Sequence, residues 1–395
     1  MFKKKLIRKA SSLVAGVVLT LGMGGNVQAN EDPVKVGFFL PYSGTFGHLG
    51  QGIDNGIRLA FEQAGNKLGG RDIEIVTVPS GANPSNAVSN MQKLISGENV
   101  DFVLGPVHSG VAMGALKVAR QEGTILVIPN AGLNVATRQL CAPNIFRTSF
   151  SNWQPDFSMA RPAYESGVRE VVTISWRYAA GEEHLGGFEE EFERLGGKVV
   201  KRILIPFPSV DFQVPLTDIA SIDPDAVYAF FGGGGAVKFL KDYAAAGLNE
   251  NVQLLSTGFL TDSIAGLGDI ANGVRTTLHW NPALDNEYNR AFIQAYKERF
   301  NEEASIYSVQ GYDAGQLLVK AMAEVDGNTT DQEALVEAMG KVTFDDSPRG
   351  PWKFSKAHNP IQNMYLQEVQ NGQNVVIGVA AEALEDPATG CAMAQ

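Results

Sequence analysis

Short runs of β-branched and apolar residues alternate with stretches of helical periodicity along this chain, and the alternation stops and then starts again. Strands are expected over 34–40, 73–78, 102–104 and 125–128, with helices over 54–65, 85–96 and 111–121 between them. Parallel neighbours need a helix-length crossover, so strand and helix at this spacing make parallel sheets with helices on both faces. The pattern restarts with strands over 170–175, 199–205, 226–231 and 253–256 and helices over 183–195, 215–221 and 236–246. The fold class is therefore α/β, with two doubly wound units. The first unit is expected to end near Phe150, where the run from Arg147 to Pro155 has no clear period. Amphipathic helices over 287–300 and 311–324 lack a strand of their own and are expected to pack back on the first unit.

The start of the chain reads differently. Lys3, Lys4, Lys5, Arg8 and Lys9 precede an apolar run over 13–21 and a small-residue cut site ending at Ala29. A basic head, a short apolar middle and a small-residue end make a secretory signal peptide over 1–29. The middle is too short to anchor stably in a bilayer about 30 Å thick. Export to the periplasm without stable membrane insertion is the expectation. Loss of those five basic residues takes the formal charge from −11 to −16, and so acidic a chain repels nucleic acid and anionic lipid. Cys141 and Cys391 lie in a compartment that permits disulfides and are expected to pair as a structural staple.

In doubly wound sheets ligands sit beyond the carboxyl ends of the strands. In the first unit those loops are Pro41–Gly52, with Tyr42, then Gly105–Val111, with His108, Ser109 and Gly110, then Pro129–Gly132, with Asn130 and Ala131. Ser109 stands where a helix N-cap belongs, and a helix start offers N–H groups and a positive dipole end to a carboxylate. In the second unit the matching edges carry Arg177 and Tyr178, Phe231 before four glycines, and Gly258-Phe259. The glycines of the first loop are not spaced for a dinucleotide, and no Gly-Lys-Ser/Thr ending cradles phosphate. The nucleophile-elbow and zincin motifs are missing, and Glu182-Glu183-His184 lacks a second histidine at helical spacing. No enzyme activity, cofactor or metal is expected.

Val34-Lys35-Val36-Gly37 with Pro41-Tyr42-Ser43-Gly44, Gly50 and Gly56, then Gly105-Pro106 with Ser109-Gly110, Asn144 to Thr148, and Gln310-Gly311-Tyr312-Asp313-Ala314 follow one another in a specific order. In these motifs the chain resembles the exported solute-binding proteins of ABC importers of the branched-chain amino acid receptor type, the type I periplasmic binding proteins. The resemblance implies two lobes joined by a three-stranded hinge, 30–150 plus 282–355 forming one and 151–281 plus 356–395 the other. It also implies a ligand carboxylate on Ser109 and the turn from Asn130 to Gly132. In amino-acid binders of this family a glutamate of the second lobe, shortly after a glycine, neutralises the ammonium. Here the neighbourhood reads Gly258-Phe259-Leu260-Thr261-Asp262, with the acid late. A buried ammonium without a counter-charge costs several kcal/mol, which disfavours a zwitterion.

The stretch from Arg147 to Trp153, with Tyr178 and the terminal Asp386 to Cys391, looks more like the subgroup that takes aromatic carboxylates. The expected ligand is thus a small aromatic acid, its ring among Tyr42, Trp153, Tyr178, Phe231 or Phe259. The expected partner is an ABC transporter membrane permease, met by a monomer after hinge closure. An amino acid binder, or a sensor of amides or other ligands on the same fold, remains the alternative.

Overall fold

The structure, a computed structural model, describes residues 32–395; the signal peptide expected over 1–29 lies outside the described residues. The first sheet contains β1 (Val34–Phe38), β2 (Lys67–Leu68), β3 (Arg71–Thr77), β4 (Phe102–Leu104), β5 (Ile125–Ile128) and β6 (Ile145–Arg147), in the order β2-β3-β1-β4-β5-β6. All neighbours run parallel except β2, which is antiparallel to β3 at the edge. β4 and β5 are buried at every residue, as strands covered by helices on both faces must be, while β3 near the edge alternates. The covering helices are α1 (Gly47–Gln63), α2 (Ala87–Gln92) and α3 (Ser109–Glu122), the last ended by Gly123 in the left-handed conformation.

The second sheet is built the same way. It follows α4 (Trp153–Glu165) and contains β7 (Glu170–Arg177), β8 (Lys198–Pro206), β9 (Ala226–Phe230), β10 (Gln253–Thr257) and β11 (Arg275–Leu278), parallel in the order β8-β7-β9-β10-β11. Helices α5 (Ala179–Arg194), α6 (Gln213–Ile222) and α7 (Gly234–Ala245) connect them. Helix α5 starts at Ala179, four residues before the expected 183.

After β11 come α8 (Glu287–Phe300), α9 (Ile306–Glu324) and α10 (Gln332–Lys341). Helix α9 returns to the first unit and lies unusually close to α1. A Cβ on Gly56 would fall 2.0 Å from the Ser308 carbonyl oxygen, and one on Gly311 would fall 2.1 Å from that of Ile53. Only glycine lets the two backbones approach so far.

The chain then forms strands that the sequence pattern did not announce: β12 (Thr343–Phe344), β13 (Trp352–Phe354), β14 (Pro360–Gln370) and β15 (Gln373–Leu384). β13 pairs with Pro360 and Ile361 of β14, whereas β11 pairs with Tyr365 to Glu368 of the same strand. β14 thereby carries the chain from one half of the molecule to the other. With the links from β6 to α4 and from β11 to α8, the two lobes are joined by three crossings.

The crossings are buried and polar. Arg349 donates to the carbonyls of Thr148 at 2.7 Å and Ser149 at 3.1 Å, and Gln362 Nε2 donates to the Ser149 carbonyl at 2.6 Å. Arg349 Nε stands 3.0 Å from Asp313 Oδ2, an ion-pair distance without hydrogen-bond alignment. A disulfide joins Cys141 to Cys391, and beside it Arg138 holds Asp386 with two 2.9 Å bonds, fastening the C-terminal segment to the first lobe.

Candidate functional site

The carboxyl ends of both sheets open on one small cavity. From the first lobe and its crossing it is lined by Phe46, Leu49, Val107, Ser109, Asn130, Gly132, Phe150, Asn152 and Tyr307. From the second lobe it is lined by Tyr178, Ala180, His184, Phe230, Gly232 and Phe259. Neither lysine nor arginine is among these residues.

The polar end is set by α3. His108, not Ser109, is its N-cap: the imidazole Nδ1 accepts the Val111 N–H at 3.2 Å. That role needs a neutral ring, and burial pushes the His108 pKa down to about 4. Ser109 is therefore the first residue of the helix, and the N–H groups of Ser109 and Gly110 have no acceptor within it. The Ser109 hydroxyl accepts a long bond of 3.4 Å from Asn152 Nδ2, and Asn130 Nδ2 donates to Gln310 Oε1 at 2.7 Å. Gly132 sits so close to the crossing that a Cβ would lie 2.1 Å from Asn152 Oδ1. Ser109, at the start of α3, thus borders a cavity whose lining holds no lysine, arginine, aspartate or glutamate.

The apolar end is aromatic. Phe150 and Phe259 lie 5.0 Å apart between centroids, and Phe259 and Tyr307 6.0 Å. Phe230 stacks on His184 at 3.5 Å. The His184 Nδ1 stands 2.5 Å from Asp156 Oδ2, and the Tyr228 hydroxyl donates to the other oxygen of Asp156. Burial raises the Asp156 pKa, while His184 and Tyr228 act against that rise.

The lobes also touch outside the cavity. His108 packs on Tyr178 at 5.1 Å and Phe46 on Phe207 at 5.7 Å. Gly233 has positive φ, and a Cβ there would fall 2.5 Å from the Thr45 carbonyl oxygen. Glu183, on α5, accepts from the Asn134 N–H at 3.0 Å and from Asn152 Nδ2 at 2.7 Å. These contacts belong to a closed arrangement of the lobes.

Comparison with known proteins decides what the arrangement is. The family model described as "Periplasmic binding protein" matches residues 33–374. The chain belongs to the periplasmic binding protein family. A periplasmic binding protein relative, the Leu/Ile/Val-binding protein homolog 6 of Brucella melitensis biotype 1, is 32% identical over 91% of this chain and 93% of its own. A solute-binding protein of an ABC transporter from R. palustris, solved in complex with benzoate, superposes with a TM-score of 0.89 at 46% identity over 91% of this chain and 100% of its own. Another from Rhodopseudomonas palustris BisB5, in complex with 3,4-dihydroxy benzoic acid, gives 0.85 at 30% identity over 90% and 99%.

Within this periplasmic binding protein the expected site residues divide sharply. Ser109, Asn130, Gly132, Tyr178 and Phe259 line the cavity together. Gly110 and Ala131 adjoin it without lining it; a Cβ on Gly110 would stand 2.9 Å from both His108 and Pro84. Gly258 likewise turns to Leu278. Tyr42 is elsewhere: its hydroxyl donates to Asp54 Oδ2 at 2.7 Å, in a neighbouring cleft that also holds Asp262. Trp153 stacks on Phe157 at 4.1 Å and donates to Glu190 at 3.1 Å. Arg177 is exposed, donating to the Leu204 carbonyl at 3.2 Å. Phe231 packs in the core against Trp176 at 5.0 Å, because consecutive residues at a strand end point to opposite faces and Phe230 takes the cavity side. Sequence reasoning missed Phe46, Phe150, Asn152, His184, Phe230 and Tyr307. Phe46 lies in a loop that the strand-end rule points to and Phe230 is the last residue of β9 before another, while His184 and Tyr307 sit on helices and give no signal.

Proposed function

We propose that this chain is the substrate-binding protein of an ABC transporter, exported by its leader, and that it captures a small aromatic carboxylate by closing two lobes over it. The observation that carries the reading is the division of one cavity. A helix start with Ser109 faces a wall of Phe150, Phe230 and Phe259. The helix end and hydroxyl suit an anion, and the rings suit an aromatic body by offset or edge packing. The relatives solved with benzoate and with 3,4-dihydroxy benzoic acid support the same class.

An amino acid would need a carboxylate facing the cavity as well. Glu183, the acid near Asn152, has its Oε2 engaged by two N–H donors and does not line the cavity. Asp262 faces the neighbouring cleft and accepts from the Ile306 N–H at 3.3 Å. The cavity therefore favours the aromatic acid over leucine, although the curated relative carries a Leu/Ile/Val-binding name.

Ser109, Asn130 and Gly132 are the first-lobe anchors in this reading, with Tyr178 and Phe259 closing from the second. The three crossings are the hinge, with lobes of 30–150 plus 282–355 and 151–281 plus 356–395. The solute favours the closed form because only that form presents both walls to it. The protein works as a monomer, catalyses nothing, and hands its ligand to a membrane permease. A micromolar Kd, about −8 kcal/mol, is the affinity expected of one anchored carboxylate plus a buried ring. Titration calorimetry with benzoate and with leucine tests the reading. Heat from benzoate with none from leucine is expected, and the reverse would overturn it.

A further inference from the structure

Beside the cavity lies the larger cleft that holds Tyr42, lined from the first lobe also by His48 and Gly52 and from the second by Asp262 and Ser263. One residue, Tyr307, lines both spaces. Its ring has a neighbour in each. Phe259, which lines the cavity and not the cleft, lies 6.0 Å away between centroids. His48, which lines the cleft and not the cavity, lies 6.4 Å away, edge to face. Tyr307 is 2% exposed, so a packed ring stands between the two spaces.

That ring is fixed from behind. Tyr307 is the second residue of α9, whose first turn is locked by reciprocal bonds: the Ser308 N–H donates to Ser305 Oγ at 3.3 Å, and the Ser305 N–H to Ser308 Oγ at 2.8 Å. Helix α1 passes so close that a Cβ on Gly52 would lie 3.3 Å from the Tyr307 Cβ. On a pinned backbone a side chain moves only by changing rotamer, and a ring packed between two others cannot do so without displacing them. Tyr307 is a partition and not a gate.

We propose that Tyr307 sets the size of the ligand: by walling the cavity off from the cleft it confines the protein to compact, single-ring aromatic acids. The proposal rests on the aromatic-carboxylate reading above and adds what limits it. A ligand extended toward the cleft has to displace a buried ring, so the longer acid is rejected by repulsion and not by want of attraction. The Tyr307 hydroxyl has no part in this, because a phenyl ring blocks the same space.

Titration calorimetry with benzoate, 3-phenylbenzoate and 4-phenylbenzoate tests this on the unaltered protein and on Tyr307→Phe, Tyr307→Leu and Tyr307→Ala, with melting curves to show which variants are folded. The unaltered protein is expected to bind benzoate about a hundredfold or more tighter than either phenylbenzoate, and Tyr307→Phe to keep that ratio. Tyr307→Ala is expected to narrow it about tenfold or more for at least one isomer, whose second ring then reaches the cleft. Tyr307→Leu, which keeps an apolar side chain against the core, should narrow it in the same direction and carries the test if the alanine variant does not fold. A folded leucine or alanine variant that binds benzoate and rejects both isomers as the parent does overturns the proposal. So does an unaltered protein that takes a phenylbenzoate as tightly as benzoate, or a Tyr307→Phe protein that admits one. Failure of benzoate and both isomers to bind any of these proteins, with leucine binding instead, looks different and overturns the aromatic reading itself.

Discussion

Replacing Gly132 by alanine probes the joint between the first crossing and the cavity. The added Cβ would stand 2.1 Å from Asn152 Oδ1, 2.7 Å from a Phe150 ring carbon and 2.8 Å from the Asn152 nitrogen. Ordinary contact begins at 3.4 Å, so about 1.3 Å of separation has to be found against steep repulsion. Gly132 is not among the residues of positive φ, so alanine adopts its backbone and the cost is one of space. Little can give way. The Asn152 N–H donates to the Gly132 carbonyl at 2.6 Å, and the Asn152 amide is held by Glu183 at 2.7 Å. Overpacking of this kind costs about 1–3 kcal/mol. Because the groups displaced are the Phe150 ring and the Asn152 amide, both in the cavity wall, affinity for benzoate is expected to drop by about tenfold or more.

Gly186→Ala is the control. That glycine lies inside α5, has no positive φ, and a Cβ there meets nothing within 4 Å. Alanine should stabilise the protein by about 0.5–1 kcal/mol through helix propensity alone. Thermal unfolding and calorimetric titration of both variants give the answer. A Gly132→Ala protein that melts with the parent and binds within twofold of it would refute the reasoning, and so would a Gly186→Ala protein that is equally damaged.

Ser109→Ala removes a hydroxyl at the anion end and should weaken benzoate binding by about ten- to a hundredfold, the range of a hydrogen bond to a charged group, while the melting temperature moves little. Asp262 sets a pH dependence. Burial pushes its pKa up to about 6, with the Ile306 N–H and Ser263 opposing, whereas an unfolded aspartate titrates near pH ~4. Between these values the folded protein holds a proton that the unfolded chain has lost, so this group's stability is full below about pH 4 and declines as pH rises through 6. Melting curves across that window should show the decline, and Asp262→Asn should flatten it. Reducing the Cys141–Cys391 disulfide, which closes a separation of 250 residues, should cost up to about 5 kcal/mol in the chain-entropy estimate; an unchanged melting temperature with and without reductant would contradict it.

How far the site could be read in advance follows from how each part is encoded. Ser109, Asn130, Gly132, Tyr178 and Phe259 follow strands or open helices at sheet edges, and the rule that ligands meet carboxyl ends of strands finds such residues without coordinates. Phe231 shows the limit of that rule: it follows a strand, but a step of one residue turns a side chain to the opposite face, and Phe230 has the cavity. Trp153 and Tyr42 failed for a related reason. Each is an aromatic within a segment expected to meet the ligand, and its direction is set by a partner on a helix, Glu190 of α5 for one and Asp54 of α1 for the other.

Local pattern by itself determined the two doubly wound units, a helix start beside Ser109 at a sheet edge, the return of α9 to the first unit and the pairing expected of the two cysteines. These depend on periodicity, on turn chemistry and on a cysteine count, all properties of the chain read in order. Tertiary structure alone decided that His108 caps α3 in place of Ser109, that β14 bridges the lobes, and that the Asp156–His184–Tyr228 cluster stands behind the aromatic wall. Each of these joins residues distant in sequence, and burial sets which partner a polar atom must find. A sequence names the donors and acceptors, and only packing determines which of them are left to meet a ligand.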